Sequence, residues 1–167
     1  PLGTVTVTGA TFNTSGIRTI GGDITVITAA TSLRANSVTF DTTNNGSVPS
    51  GANIIFPSTV NSKSGTSNSL IVTAGSGGIA TFLGAVGGIV PLNSLSILSA
   101  SNVNIKNVTV NNDIEIIPHS TLSNKLTTFI SSSGGDVLLG DIDGTTTSAQ
   151  SVIVSIGSGS GSGSGAV

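Results

Sequence analysis

The 167-residue sequence has no cysteine, methionine, tryptophan or tyrosine, and only 7% of its residues are charged. Without cysteine there is no disulfide framework and no thiolate metal site, so the commonest cofactor ligands are missing and no cofactor is expected. Five Lys and Arg stand against seven Asp and Glu, a formal charge of -2. That leaves no electrostatic footprint for counterion release from phosphate backbones, and nucleic acid is not an expected partner. Polar residues interrupt every apolar stretch within about six positions, far short of the roughly 18 to 20 apolar residues of a spanning helix. No membrane span is expected. The sequence opens at Pro1-Leu2-Gly3 with no initiator Met, basic n-region or apolar h-region. It is expected to be an internal piece whose export signal lies elsewhere.

What is present is Gly, Ser, Thr and Asn, with 37% hydrophobic residues, enough for a core in a chain of this length. The apolar residues come in short runs at 5–7, 24–27, 38–40, 54–56, 70–72, 95–98, 103–105, 108–110, 114–117, 137–139 and 152–154. Most alternate with Thr, Ser or Asn at period two, as in Thr4-Val5-Thr6-Val7-Thr8, so each run reads as a strand with one buried and one wet face. Between them lie turn clusters such as Thr43-Asn44-Asn45-Gly46 and Ser133-Gly134-Gly135-Asp136. Helical periodicity never lasts beyond about two turns. The class is all-β.

The sequence also repeats itself, in copies read as 1–90 and 91–167 of a single segment. Pro1-Leu2-Gly3-Thr4-Val5-Thr6-Val7 matches Pro91-Leu92-Asn93-Ser94-Leu95-Ser96-Ile97 at an offset of 90, as Asp23-Ile24-Thr25-Val26-Ile27 matches Asp113-Ile114-Glu115-Ile116-Ile117. Leu33 to Phe40 matches Leu122 to Phe129 at 89, and Ser69-Leu70-Ile71-Val72 matches Ser151-Val152-Ile153-Val154 at 82. The drop puts a deletion in the second copy opposite the loop around Asn44 to Ser50. Gly84-Ala85-Val86 matches Gly165-Ala166-Val167 at 81. Strands that hold register while turns vary in length point to stacked units, and the lack of blade-like aromatic or His and Asp signatures favours a solenoid over a propeller. Coils of about 20 residues would give about eight coils rising about 4.8 Å each, on the order of 40 Å in all, with Asn and Thr ladders at the turns.

The phrases Ser69-Leu70-Ile71-Val72-Thr73-Ala74-Gly75-Ser76-Gly77, Phe82-Leu83-Gly84-Ala85-Val86-Gly87-Gly88 and Pro91-Leu92-Asn93-Ser94-Leu95-Ser96-Ile97 resemble giant bacterial β-strand-repeat proteins. These belong among the filamentous-haemagglutinin-like and autotransporter-like surface proteins. Gly135-Asp136-Val137 and Asp141-Ile142-Asp143-Gly144-Thr145-Thr146 in the second copy are similar to the same repeat. The resemblance covers nearly the whole chain. It implies a right-handed parallel β-helix, a stalk on a secreted or cell-surface adhesin, and brings no catalytic residues. Ser155 to Gly165 departs from it, because Gly-Ser alternation replaces the Ile79 to Leu83 strand of the first copy. That stretch reads as a weak edge or a linker.

Chemistry-bearing residues are few. A parallel β-helix can be a polysaccharide lyase or hydrolase, which needs clustered carboxylates with a nearby cation. The best cluster is Asp136, Asp141 and Asp143, yet no Lys or Arg lies within ten positions of Asp141 or Asp143. Asp143-Gly144 reads as a turn, Asp23 and Asp136 as residues leading into strands, and no catalytic residue is assigned. Asp141 and Asp143 are the weak candidates for calcium, but the glycine-rich nonapeptide of calcium-binding β-rolls is absent. His119, the one histidine, reads as a surface loop residue after Pro118. The glycines at 75–78 and 84–88 lack phosphate-loop spacing and read as turns. Asn13-Thr14-Ser15, Asn45-Gly46-Ser47 and Asn107-Val108-Thr109 are formal glycosylation sequons in a chain rich in those residues. The expected function is thus non-catalytic: a rigid stalk whose partners are further repeats, with any host or surface ligand bound elsewhere in the parent protein. The alternative is a filament subunit stacking end to end, because solenoid ends template addition unless capped. A polysaccharide-active enzyme and an ice-binding Thr array, started at Thr4 to Thr8 but not sustained, are remoter readings.

Overall fold

A computed structural model describes residues 3–9, 11–12, 15–27, 30–122, 126–144 and 150–157. The chain winds as a three-sided parallel β-solenoid, and every pairing between its strands is parallel. The first face stacks β1 (Val5–Thr8), β4 (Ile24–Ile27), β7 (Ile54–Phe56), β10 (Ile79–Phe82), β12 (Asn102–Ile105), β15 (Ser120–Leu122) and β18 (Ile142–Gly144). The third face stacks β3 (Gly16–Arg18), β6 (Ser37–Asp41), β9 (Ser69–Thr73), β11 (Leu95–Ser99), β14 (Ile114–Ile116) and β17 (Val137–Leu139). The second face is β2 (Thr11–Phe12), β5 (Ala30–Leu33) and β8 (Thr59–Ser62), then β13 (Val108–Val110), β16 (Leu126–Ser131) and β19 (Ser151–Ile156). Val86 joins its two halves, bridging Val60 below and Val108 above.

Seven strands on the first face make six turns, not the eight expected from 20-residue coils. Coil length varies with what the corners carry. Stacked Asn102 and His119 are 17 residues apart, whereas Asp23 and Asn53 are 30 apart because the loop at 42–53 projects from that corner. At ~4.8 Å per coil, six turns rise about 30 Å.

Alternation within each strand builds the core. Inward residues fall on their like in the next coil: Val38 on Leu70, Leu95, Ile114 and Val137, and Phe40 on Val72, Ile97, Ile116 and Leu139. Nearly all of these are fully buried, and they belong to one hydrophobic cluster that runs along the stack. Phe56 stacks on Phe82 with centroids 4.9 Å apart, and Phe40 meets Phe56 edge-on at 5.0 Å.

The corners are held by polar ladders. Asn36, Asn68, Asn93 and Asn112 occupy equivalent places in four coils: Ser69 N donates to Asn36 O, Asn93 N to Asn68 O and Asn112 N to Asn93 O, with Asn112 Nδ2 to Asn93 Oδ1 at 2.7 Å. The expected Asn ladder is therefore present. Tight corners demand glycine where backbones meet. Gly51 has φ near 56°, and a Cβ there would collide with the Ala74 carbonyl of the next coil.

The sequence repeat and the coil are out of phase. Counting faces in chain order, β1 holds the first position and β11 the twelfth, since Val86 holds the second face of the fourth coil without a strand of its own. Matched strands are thus eleven positions apart, three turns and two faces, and the same displacement relates β4 to β14, β6 to β16 and β9 to β19. Residues matched in sequence therefore lie on different faces. The deletion in the second copy is the difference between the connection at 42–53 and the short one at 132–136.

Candidate functional site

The projecting loop is organised by one carboxylate. Asp41, at the end of β6, is only 4% exposed, and its oxygens accept from the Thr43 amide and hydroxyl, both at 2.7 Å, from the Asn45 amide at 2.8 Å and from Arg18 Nε at 3.0 Å. Burial acts to raise its pKa. The bonds from the Thr43 hydroxyl, the Asn45 and Thr43 amides and Arg18 together outweigh burial and hold the carboxyl below its ordinary 3.8. Asn44 and Asn45, at φ near 53° and 55°, take the left-handed turn that short polar side chains tolerate. Thr42 pins the loop's far side: its hydroxyl accepts from the Ala52 amide at 2.9 Å and lies 3.1 Å from the Ala74 carbonyl. Between this loop and the third face lies a depression of about 500 Å3, lined by Asn45 and Pro49 from the loop and by Thr39, Ile71, Leu98 and Ser99 from the face. The loop was legible as turn chemistry. Asp41 was not, because its charged partner Arg18 is 23 residues away and reaches it only through coil register.

The calcium candidates lie on the first face. Asp141 leads into β18, where its carbonyl accepts from Ser120 N, and Asp143 sits within the strand rather than in the expected turn. Asp136 leads into β17 on the third face, so the coil separates it from the other two. Asp143 Oδ2 instead lies 3.0 Å from His119 Nε2, and His119 Nδ1 lies 2.7 Å from Asn102 Oδ1. His119 does sit in a connection, between β14 and β15, but half-buried and engaged at both nitrogens. This pairing could not be seen in sequence, since the two residues are 24 apart and stack through register alone.

A histidine and an aspartate on one face invite comparison with a nucleophilic relay, in which one imidazole nitrogen takes a proton from a hydroxyl while the other is oriented by a carboxylate. Here the second nitrogen faces Asn102, and the neighbouring Thr121 hydroxyl donates to that same Asn102 oxygen, not to His119. The cluster works as a polar clasp between coils. A further depression of about 300 Å3 on the third face is lined by Asp113, Glu115 and Asp136, of which Asp113 Oδ1 caps the Asp136 amide at 3.0 Å. Among the described residues no three His, Cys, Asp or Glu side chains group as a metal site.

The sequon at 13–15, the segment Thr145 to Ala149 and the match of Gly165-Ala166-Val167 fall wholly or partly outside the described residues. Comparison with protein-family models, with curated proteins and with solved structures returned no match.

Proposed function

We propose that this chain is a non-catalytic structural segment of a secreted or cell-surface bacterial fibrous protein, in which stacked coils supply the length and stiffness of a stalk. The observation that carries this reading is the linear growth of the fold. Each coil adds one layer to the stack and to a single core, so length grows with coil number. A sparsely charged, hydroxyl-rich exterior suits a spacer that is not itself a binding module. The resemblance of its repeat phrases to β-strand-repeat adhesins supports the surface location, with any host ligand bound elsewhere in the parent protein.

Six turns rise about 30 Å, a stub rather than a stalk, so the reading requires more coils in line. Head-to-tail gene fusions of two, three and four chains, imaged by electron microscopy, test it. Straight rods of even width whose length grows by about 30 Å per chain are the expected result. Beads separated by flexible joints would overturn the stalk.

A further inference from the structure

We propose that His119 is a proton-operated clasp between coils, a device that does not depend on the chain being a stalk. Doubly protonated, it ties Asn102 on β12 to Asp143 on β18, two coils further along the first face; when it loses a proton it releases Asp143.

The directions of the surrounding hydrogen bonds decide which ring nitrogen carries a proton. Asn104 Nδ2 donates to the Thr81 hydroxyl at 3.4 Å, and Asn102 Nδ2 donates to Asn104 Oδ1 at 2.9 Å. With its amide nitrogen so used, Asn102 presents Oδ1, which accepts from Thr121 Oγ1 at 3.0 Å and faces His119 Nδ1 at 2.7 Å. An amide oxygen only accepts, so Nδ1 carries a proton. The other nitrogen, Nε2, faces Asp143 Oδ2 at 3.0 Å, and an ionised carboxylate also only accepts. A neutral imidazole has one N–H and one lone pair, so with Nδ1 as the donor the lone pair of Nε2 would point at the carboxylate. Only the imidazolium supplies both donors, and its bond to Asp143 is then charge-assisted.

Among the described residues the neighbourhood adds no cation to replace that proton. β12 brings Asn102 and Asn104 to this face and β15 brings Thr121, none of them charged, while Lys106 lies past the far end of β12. β18 brings Asp143, and Asp141 before it stands opposite His119 when the pairing of Ser120 with Ile142 is extended by one residue. Glu115 of β14 belongs to the third face. Raising the pH through the range in which histidines change charge, about 5 to 8, therefore takes the proton from Nε2 and leaves two lone pairs in opposition. The neutral ring can keep Asp143 only as the Nε2–H form, and that requires the Asn102 and Asn104 amides both to turn over, reversing bonds that run from Thr81 on β10 to His119 beside β15.

Two measurements on the full chain test the clasp, helped by His119 being the only histidine. Nitrogen NMR shifts of the isotopically labelled ring report which nitrogen is protonated. Both are expected to carry protons at about pH 5, and at about pH 8 Nδ1 is expected to keep its proton while Nε2 is bare. A neutral ring with its proton on Nε2 would mean that the amides turn over and the Asp143 bond persists, which overturns the proposal. Chemical denaturation reads the consequence. The protonated clasp contributes at the lower pH and is lost as pH rises, so the wild-type midpoint should fall between about pH 5 and 8. Asp143→Asn changes an exposed position on β18 and spares the core. Its amide can accept from a protonated Nε2 or donate to a bare one, so its midpoint should change several-fold less over the same range. A pH dependence in Asp143→Asn equal to that of the wild type would also overturn the proposal.

Discussion

Single polar groups decide where this fold is tight and where it is loose. Asp41 is the clearest case. Its carboxyl is held below its ordinary value, so the ionised form stabilises the folded chain above that value and the contribution is lost as pH falls through the lower, folded pKa. Asp41→Asn should therefore cost about 2 kcal/mol at neutral pH, read by chemical denaturation, and should flatten the loss of stability below about pH 4. An unchanged acid limb would show that other groups govern it. The opposite case is Thr127, on the inner side of β16. Its hydroxyl is fully buried without a partner, as is that of Ser131. Thr127→Val keeps the shape and removes the stranded hydroxyl, so it should raise stability by about 1 kcal/mol. Little of this was legible in sequence. Thr127 aligns with inward Val152 only once register is known, and Asp41 looked like any aspartate before a turn.

The element scale was more readable, because period-two alternation survives in isolation wherever strands carry Val, Ile, Leu or Phe. All eleven expected runs overlap strands. The elements without a strong apolar signature went unread: β5 is Ala-Thr-Ser-Leu and β8 is Thr-Val-Asn-Ser, short and polar enough to pass for loops. What fixes them is pairing, Thr31 on Val60 and Leu33 on Ser62, which no local pattern announces. The coil count was overestimated for the same reason, since corners of unequal length make the period uneven. Within the stack the Phe40, Phe56 and Phe82 cluster joins three successive coils. Phe56→Ala at its centre should cost about 3 to 5 kcal/mol, with the deficit seen as a lower denaturation midpoint. A loss below about 1 kcal/mol would mean that neighbouring coils close over the gap.

For the whole molecule, the eleven-position displacement is the property that neither the repeat nor the coil reveals alone. Corners matched in sequence, such as the connection at 42–53 and its shortened counterpart at 132–136, therefore lie on different corners of the coil rather than one directly above the other. The account stands or falls on strands of successive coils lying parallel and in register. Nuclear Overhauser spectroscopy of the isotopically labelled chain reads this directly on the outward residues of the first face. The predicted result is a continuous series of backbone contacts from Thr25 to Ile55 to Thr81 to Asn104 to Thr121, with Ile24–Ile54 contacts preceding and running in the same direction. Contacts running in opposite directions along neighbouring strands, as in an antiparallel sandwich, would contradict it.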